Sequence, residues 1–262
     1  MRHNILITGL LTLGFLVFGT ACAKDSAAQR KTVPVKQVRV VRSFPHDPDA
    51  FCQGLVVEGN TVYESTGQYG KSSLRRGDLT LGKTLQSQSL GPKYFGEGIT
   101  IVGDRIFQLT WKQGQCIVYE KDTMKALGVF RYSGEGWGLA DNDKEIFLSD
   151  GTYAIRVLDP ETFKVRRRIK VKDGRRLLQD INELEYFDGH IWANVWYRNE
   201  IAKIDPKTGS VVAWIDCSGV YPASMRPSRE HVLNGIAFDE EEKKLYITGK
   251  NWPRIYEIEI VD

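Results

Sequence analysis

Glu97 stands between two glycines in Phe95-Gly96-Glu97-Gly98-Ile99-Thr100, at the head of an apolar run. A single carboxyl group so placed can move a proton, acting first as base and then as acid. Few other catalytic groups accompany it. There is no Gly-x-Ser-x-Gly elbow, and His46, His190 and His231 stand alone, without the spacing of a triad or a metal site. No Cys-x-x-Cys pair occurs, which argues against a zinc cluster. Cys52, beside Gln53, has no placed histidine base and reads as a core residue. What remains is one carboxylate among aromatic and amide side chains. That inventory suits a reaction in which the substrate brings its own nucleophile.

The elements that must position these groups are repeated hairpins. Gly98 to Trp111 alternates in polarity about a Gly103-Asp104 turn and reads as two antiparallel strands. Similar units begin at Gly54, Gly98, Gly138, Glu183 and Gly235, a period of roughly 40–50 residues that points to a β-propeller. Third strands follow at Cys116–Tyr119, Ala154–Leu158, Glu200–Ile204 and Arg254–Ile258. Asp159-Pro160-Glu161-Thr162 and Asp205-Pro206-Lys207-Thr208-Gly209 are turns into fourth strands. The fifth unit runs out at Asp262 after three strands. The strand Gln37–Phe44 is free to supply the missing one and close the ring, which removes an open sheet edge. The expected architecture is therefore an all-β, five-bladed propeller closed by an N-terminal strand; a β-sandwich with coincidental spacing is the competing arrangement. Gly174–Gln179 reads as a helical turn, and Ser218–Arg229 as a second excursion between units.

In a propeller the first strands line the axis. The residues heading them should converge: Phe51 and Gln53, Glu97, Glu135 and Trp137, Asn182 and Glu183, and Asn234. The ends of the second strands are Thr66, Trp111, Asp150, Trp196 and Lys250. Sequence leaves open whether these gather at the same mouth or on the opposite side.

Composition sets the remaining bounds. The 262 residues suit one large all-β domain, and a net charge of +3 gives no global cause to bind nucleic acid. The runs Arg166-Arg167-Arg168 and Arg175-Arg176 read as a solvated strand face and a turn. Arg2 and His3 precede an apolar run, Ile5–Phe18, and then Gly19-Thr20-Ala21-Cys22-Ala23, the pattern of a bacterial export signal. Ala21-Cys22-Ala23 fits a cleavage site, and Gly19-Thr20-Ala21-Cys22 resembles a lipobox that lacks its usual leucine. Lipidation at Cys22 is the preferred reading. The expected organisation is a signal peptide over 1–22, a polar tether over 23–36 and the propeller over 37–262, exported to the periplasm or anchored to the envelope as a monomer. Cys52, Cys116 and Cys217 remain beyond the leader, and an exporting compartment permits a disulfide that sequence cannot assign.

Nine ordered motifs carry a resemblance that spans 37–262. They are Phe51-Cys52-Gln53-Gly54-Leu55, Glu64-Ser65-Thr66-Gly67, Phe95-Gly96-Glu97-Gly98-Ile99-Thr100, Leu109-Thr110-Trp111, Gly136-Trp137-Gly138-Leu139, Ile181-Asn182-Glu183-Leu184-Glu185, Asn194-Val195-Trp196, Leu233-Asn234-Gly235-Ile236-Ala237 and Thr248-Gly249-Lys250. Together they resemble the plant and bacterial glutaminyl-peptide cyclotransferases. The resemblance implies a five-bladed propeller that converts N-terminal glutaminyl residues of peptides or proteins to pyroglutamate, with release of ammonia and without a metal or other cofactor. It implies Glu97 as the catalytic residue, with Phe51, Gln53, Trp111, Trp137, Asn182, Trp196 and Lys250 around the substrate. Cys52 is a departure where threonine is expected, and its side chain should point away from the cavity.

Each of these residues taken singly has an ordinary reading: indoles that pack blades, a turn carboxylate, surface polar groups. In motif order on a repeated hairpin, the catalytic reading is favoured. Glu135 and Glu183 are weaker candidates, as rim or supporting carboxylates. Two rivals stand beside it: an exported propeller that binds peptide N-termini without turnover, and a metal-dependent lactonase or lyase.

Overall fold

In the computed structural model, which describes Met1 and residues 33–261, the chain is all-β with one short 3-10 turn at Ala223–Met225. The leader, Cys22 and the first part of the tether lie outside the described residues. Strand β1 (Val35–Pro45) begins two residues before the expected Gln37. Three four-stranded antiparallel sheets follow in order. The first holds β2 (Cys52–Glu58), β3 (Thr61–Thr66), β4 (Ser73–Asp78) and β5 (Lys83–Ser89). The second holds β6 (Gly96–Val102), β7 (Arg105–Thr110), β8 (Gln115–Glu120) and β9 (Ala126–Arg131). The third holds β10 (Leu139–Asp141), β11 (Ile146–Leu148), β12 (Ala154–Leu158) and β13 (Val165–Lys170).

A small hairpin comes next, β14 (Lys172–Asp173) with β15 (Arg176–Leu177). It replaces the expected helical turn at 174–179. The reason is local: Gly174 takes a φ of 60°, and this left-handed residue reverses the chain within two residues. The last sheet has eight strands. It contains β16 (Ile181–Phe187), β17 (His190–Val195), β18 (Glu200–Ile204) and β19 (Val211–Asp216), and then β20 (Leu233–Asp239), β21 (Lys244–Gly249) and β22 (Arg254–Val261). Strand β1 joins these two groups. It pairs antiparallel with β22 from Gln37–Val261 to Pro45–Arg254, and parallel with β19 over Val35–Gln37.

In the first three units burial falls from the first strand to the last, whereas β19, the last of the fourth, stays mostly buried. In β2 and β6 nearly every residue is buried, whereas β5, β9 and β13 are mostly exposed. Arg166, Arg167 and Arg168 accordingly lie on a solvated outer strand, with Arg167 donating to Glu145 at 2.9 Å. The first strands touch in sequence: β2 against β6, β6 against β10, β10 against β16, β16 against β20, and β20 against β2. Missing side chains make these approaches possible. A Cβ at Gly54 would lie 2.5 Å from the Ile99 nitrogen, and one at Gly98 would lie 2.6 Å from the Leu139 nitrogen. Glycine therefore recurs at the unit heads because neighbouring backbone occupies the place of a side chain.

The apolar interior is split into five clusters, each between successive units. Phe44, Leu55 and Val57 pack against Ala237, Tyr246 and Ile255, for example, between the first unit and the last. The three cysteines among the described residues, Cys52, Cys116 and Cys217, are buried and free. Each belongs to a different cluster, Cys52 with Leu55, Cys116 with Phe107 and Cys217 with Trp252, so none can reach another.

Candidate active site

The heads of the first strands share a second irregularity. Pairing with the second strand slips between Cys52 and Gly54, between Gly96 and Ile99, between Ile181 and Leu184, and between Leu233 and Ile236. Such bulges redirect side chains. The residues inside them are Gln53, Glu97 with Gly98, Asn182 with Glu183, and Asn234 with Gly235. The same hairpins settle which mouth the second strands reach. Antiparallel pairing sets Cys52 opposite Thr66, Gly96 opposite Thr110, Ile181 opposite Val195 and Leu233 opposite Gly249. The head of one strand and the tail of the next therefore share an end, and Trp111, Trp196 and Lys250 follow those tails directly.

All eight expected residues line one cavity of about 170 Å³: Phe51, Gln53, Glu97, Trp111, Trp137, Asn182, Trp196 and Lys250. Two further residues line it that the sequence reading had not placed there, Phe95 and Glu230. Phe95 packs edge-on against Phe51 at 6.1 Å and Trp111 at 5.5 Å. Its position was available in the repeat, since Phe95 precedes Glu97 as Phe51 precedes Gln53. Glu230 comes from the excursion after β19, where no period announces it; Tyr197 Oη donates to its carboxylate at 2.7 Å.

Other converging residues stand behind the wall. Thr66 is buried against Ser73, 2.9 Å between hydroxyls. Asp150 pairs with Arg156 at 2.6 Å. Asn234 donates from Nδ2 to the Cys52 carbonyl at 2.9 Å and to Gln53 Oε1 at 3.2 Å, which leaves the Gln53 amide nitrogen as that side chain's remaining donor. Glu183 accepts from the Ile236 amide at 2.9 Å. Cys52 lies in an apolar cluster and does not line the cavity; burial pushes its thiol well up.

Electrostatically the cavity is organised around Glu97 and Lys250, which are 4% and 5% exposed. Burial holds the Glu97 carboxyl well above the usual range; the Lys250 charge pulls it back, and Glu135 pushes it up further. Burial lowers the Lys250 ammonium, against the attraction of Glu97. The Lys250 nitrogen lies 4.9 Å from the Phe51 ring centre and 5.8 Å from that of Trp196, where aromatic faces offset some of its lost hydration. Asn182 Oδ1 and Trp196 Nε1 are buried with no partner among the described residues. A buried polar group left unpaired costs about 1–3 kcal/mol. An unpaired acceptor and an unpaired donor thus belong to residues that line the cavity.

With the geometry established, the chain can be set beside known proteins. The family model for glutamine cyclotransferase matches residues 13–260. A glutaminyl-peptide cyclotransferase of Arabidopsis thaliana is 39% identical over 259 residues, covering 97% of this chain and 81% of that protein. The crystal structure of Myxococcus xanthus glutaminyl cyclase matches with a TM-score of 0.82 at 35% identity, over 87% of this chain and 98% of that one. The family match spans nearly the whole chain, as do the ordered motifs that wall the cavity, and the chain belongs to the glutamine cyclotransferase family.

Proposed function

We propose that this chain converts N-terminal glutaminyl residues of peptides or proteins to pyroglutamate with release of ammonia, within a five-bladed propeller closed by its N-terminal strand. The cyclic contacts of five first strands, the five clusters between units and the pairing of β1 with β22 support the architecture. The observation that carries the chemistry is the buried carboxyl of Glu97 in the lining of an aromatic cavity that also holds Lys250.

The substrate's α-nitrogen attacks the carbon of its own side-chain amide. One C–N bond forms and closes a five-membered lactam; the bond to the amide nitrogen breaks, and that nitrogen leaves as ammonia. Correct orientation of an intramolecular attack is worth about 7–11 kcal/mol, so no protein nucleophile is needed. Phe51, Trp111, Trp137 and Trp196 form a slot that favours the coiled side chain. Glu97 takes the proton from the attacking nitrogen and delivers it to the departing one. Its raised proton affinity suits both halves of that transfer. Lys250, the Gln53 amide nitrogen and Trp196 Nε1 are the donors available to the carbonyl oxygen as its charge grows. Asn182 Oδ1 is an acceptor for a substrate N–H.

Incubating the purified chain with a Gln-leading peptide should shift the peptide by the mass of ammonia, with the same rate after treatment with a chelator. Retention of the peptide without that shift would establish the binding module instead, and loss of turnover on chelation would establish a metal-dependent enzyme. From the leader we also infer an exported monomer tethered to the envelope through Cys22. Cell fractionation tests this: the wild-type chain should sediment with membranes and Cys22→Ala should not, and a soluble wild-type chain would remove the tether.

A further inference from the structure

Glu135 touches two walls of the cavity without lining it. One oxygen, Oε2, accepts from Trp111 Nε1 at 2.8 Å and from Trp137 Nε1 at 2.9 Å. The indoles come from different units, Trp111 just beyond β7 and Trp137 just before β10. The backbone that carries this carboxylate is itself held. Arg156, 7% exposed, donates to the Glu135 carbonyl at 3.0 Å, to the Ser133 carbonyl at 2.7 Å and to Asp150 at 2.6 Å. The Gly136 amide donates to the Trp111 carbonyl at 3.1 Å. Lys112 stands 3.9 Å from the other carboxylate oxygen, and its ammonium lies 3.9 Å from the Trp111 ring centre. This is a carboxylate on a braced backbone, accepting from the edges of two indoles. Bonds from indole to a charged acceptor are stronger than those between neutral groups and fix ring orientation.

We propose that Glu135 is a positioning residue for the cyclisation: it locks the Trp111 and Trp137 rings into the wall of the slot. The proposal rests on the functional reading above. The titratable groups around Glu97 are Lys250, Glu135, Glu230 and Tyr132. Of these, Lys250 favours the carboxylate and Glu135 disfavours it.

Two variants separate the parts. Glu135→Ala removes both the acceptor and the charge, whereas Glu135→Gln keeps an acceptor oxygen and removes only the charge. Glu135→Ala should raise KM about tenfold, the loss of one charged acceptor shared by two donors, and Glu135→Gln should restore most of it. Both should move the acid limb of the kcat profile, where Glu97 loses its proton, to lower pH by about half a unit. Acrylamide quenching of tryptophan emission should rise in the Ala variant and stay near wild type in the Gln variant. A KM equally damaged in both variants would overturn the positioning role, as would unchanged quenching in the Ala variant. An unmoved acid limb would overturn the influence of the Glu135 charge on Glu97. Quenching needs no turnover, so it judges Glu135 even if the wild-type chain fails to cyclise a peptide.

Discussion

Glu97→Gln is expected to lower kcat by about 10²–10⁴-fold, the range that a positioned acid–base group contributes, with KM within a few-fold of wild type. Gln is nearly isosteric and neutral, so it keeps the shape of the cavity while removing the proton carrier. The fold should not suffer. The folded carboxyl holds its proton well above the usual range because burial disfavours the charged form. Such a group favours folding below its unfolded value, near pH 4, and that contribution is lost as pH rises through the folded value. As pH rises above the unfolded value the wild-type chain therefore loses stability through this group, and the variant does not. Glu97→Gln should melt at an equal or higher temperature than wild type at pH 8, and the gap should close near pH 4. Single-turnover kinetics beside thermal melts at both values check this. A kcat within about tenfold of wild type would remove Glu97 from the proton transfer.

Lys250→Met should produce the second large effect, a fall in kcat of about 10²–10³-fold, the loss seen when one preorganised donor to a developing oxyanion is removed. Met has similar length and no charge, so the packing over Phe51 and against Trp196 is largely retained. The pH dependence carries a sign that distinguishes this role from simple packing. The lysine charge pulls the Glu97 carboxyl down. Without it Glu97 should hold its proton to higher pH, and the acid limb of kcat should move up, opposite to the shift expected for Glu135→Gln. Two charges acting on one carboxyl, Lys250 from inside the cavity and Glu135 from behind its wall, should give opposite displacements in one assay. A loss smaller than about fivefold, with an unmoved acid limb, would assign the oxyanion to Gln53 or Trp196 instead.

The site was legible in proportion to how far it follows the repeat. Phe51, Gln53, Glu97, Trp137 and Asn182 head first strands, and Trp111, Trp196 and Lys250 end second strands, so counting hairpins puts them among thirteen candidates, from which the family resemblance selects these eight. Phe95 occupies a repeat position that the reading passed over. Glu230 lies on an irregular excursion, and nothing in residue type or spacing ties it to a cavity built elsewhere. The hairpin at 172–177 was misread as a helical turn because a two-residue reversal at Gly174 leaves too short a pattern for either period to register.

By itself the sequence determined the all-β class, the repeating units and the glycines at their heads. These depend on strand alternation and turn chemistry, which act between residues near in the chain. Tertiary structure alone decided three things. The heads and tails of the hairpins share a mouth because antiparallel pairing and bulges aim them there. The three thiols stay apart because successive units enclose them in separate apolar clusters. Glu135 joins two indoles from different units, and Glu97 and Lys250 shift each other's proton affinity, because both effects depend on distances and burial between parts of the chain that only packing brings together.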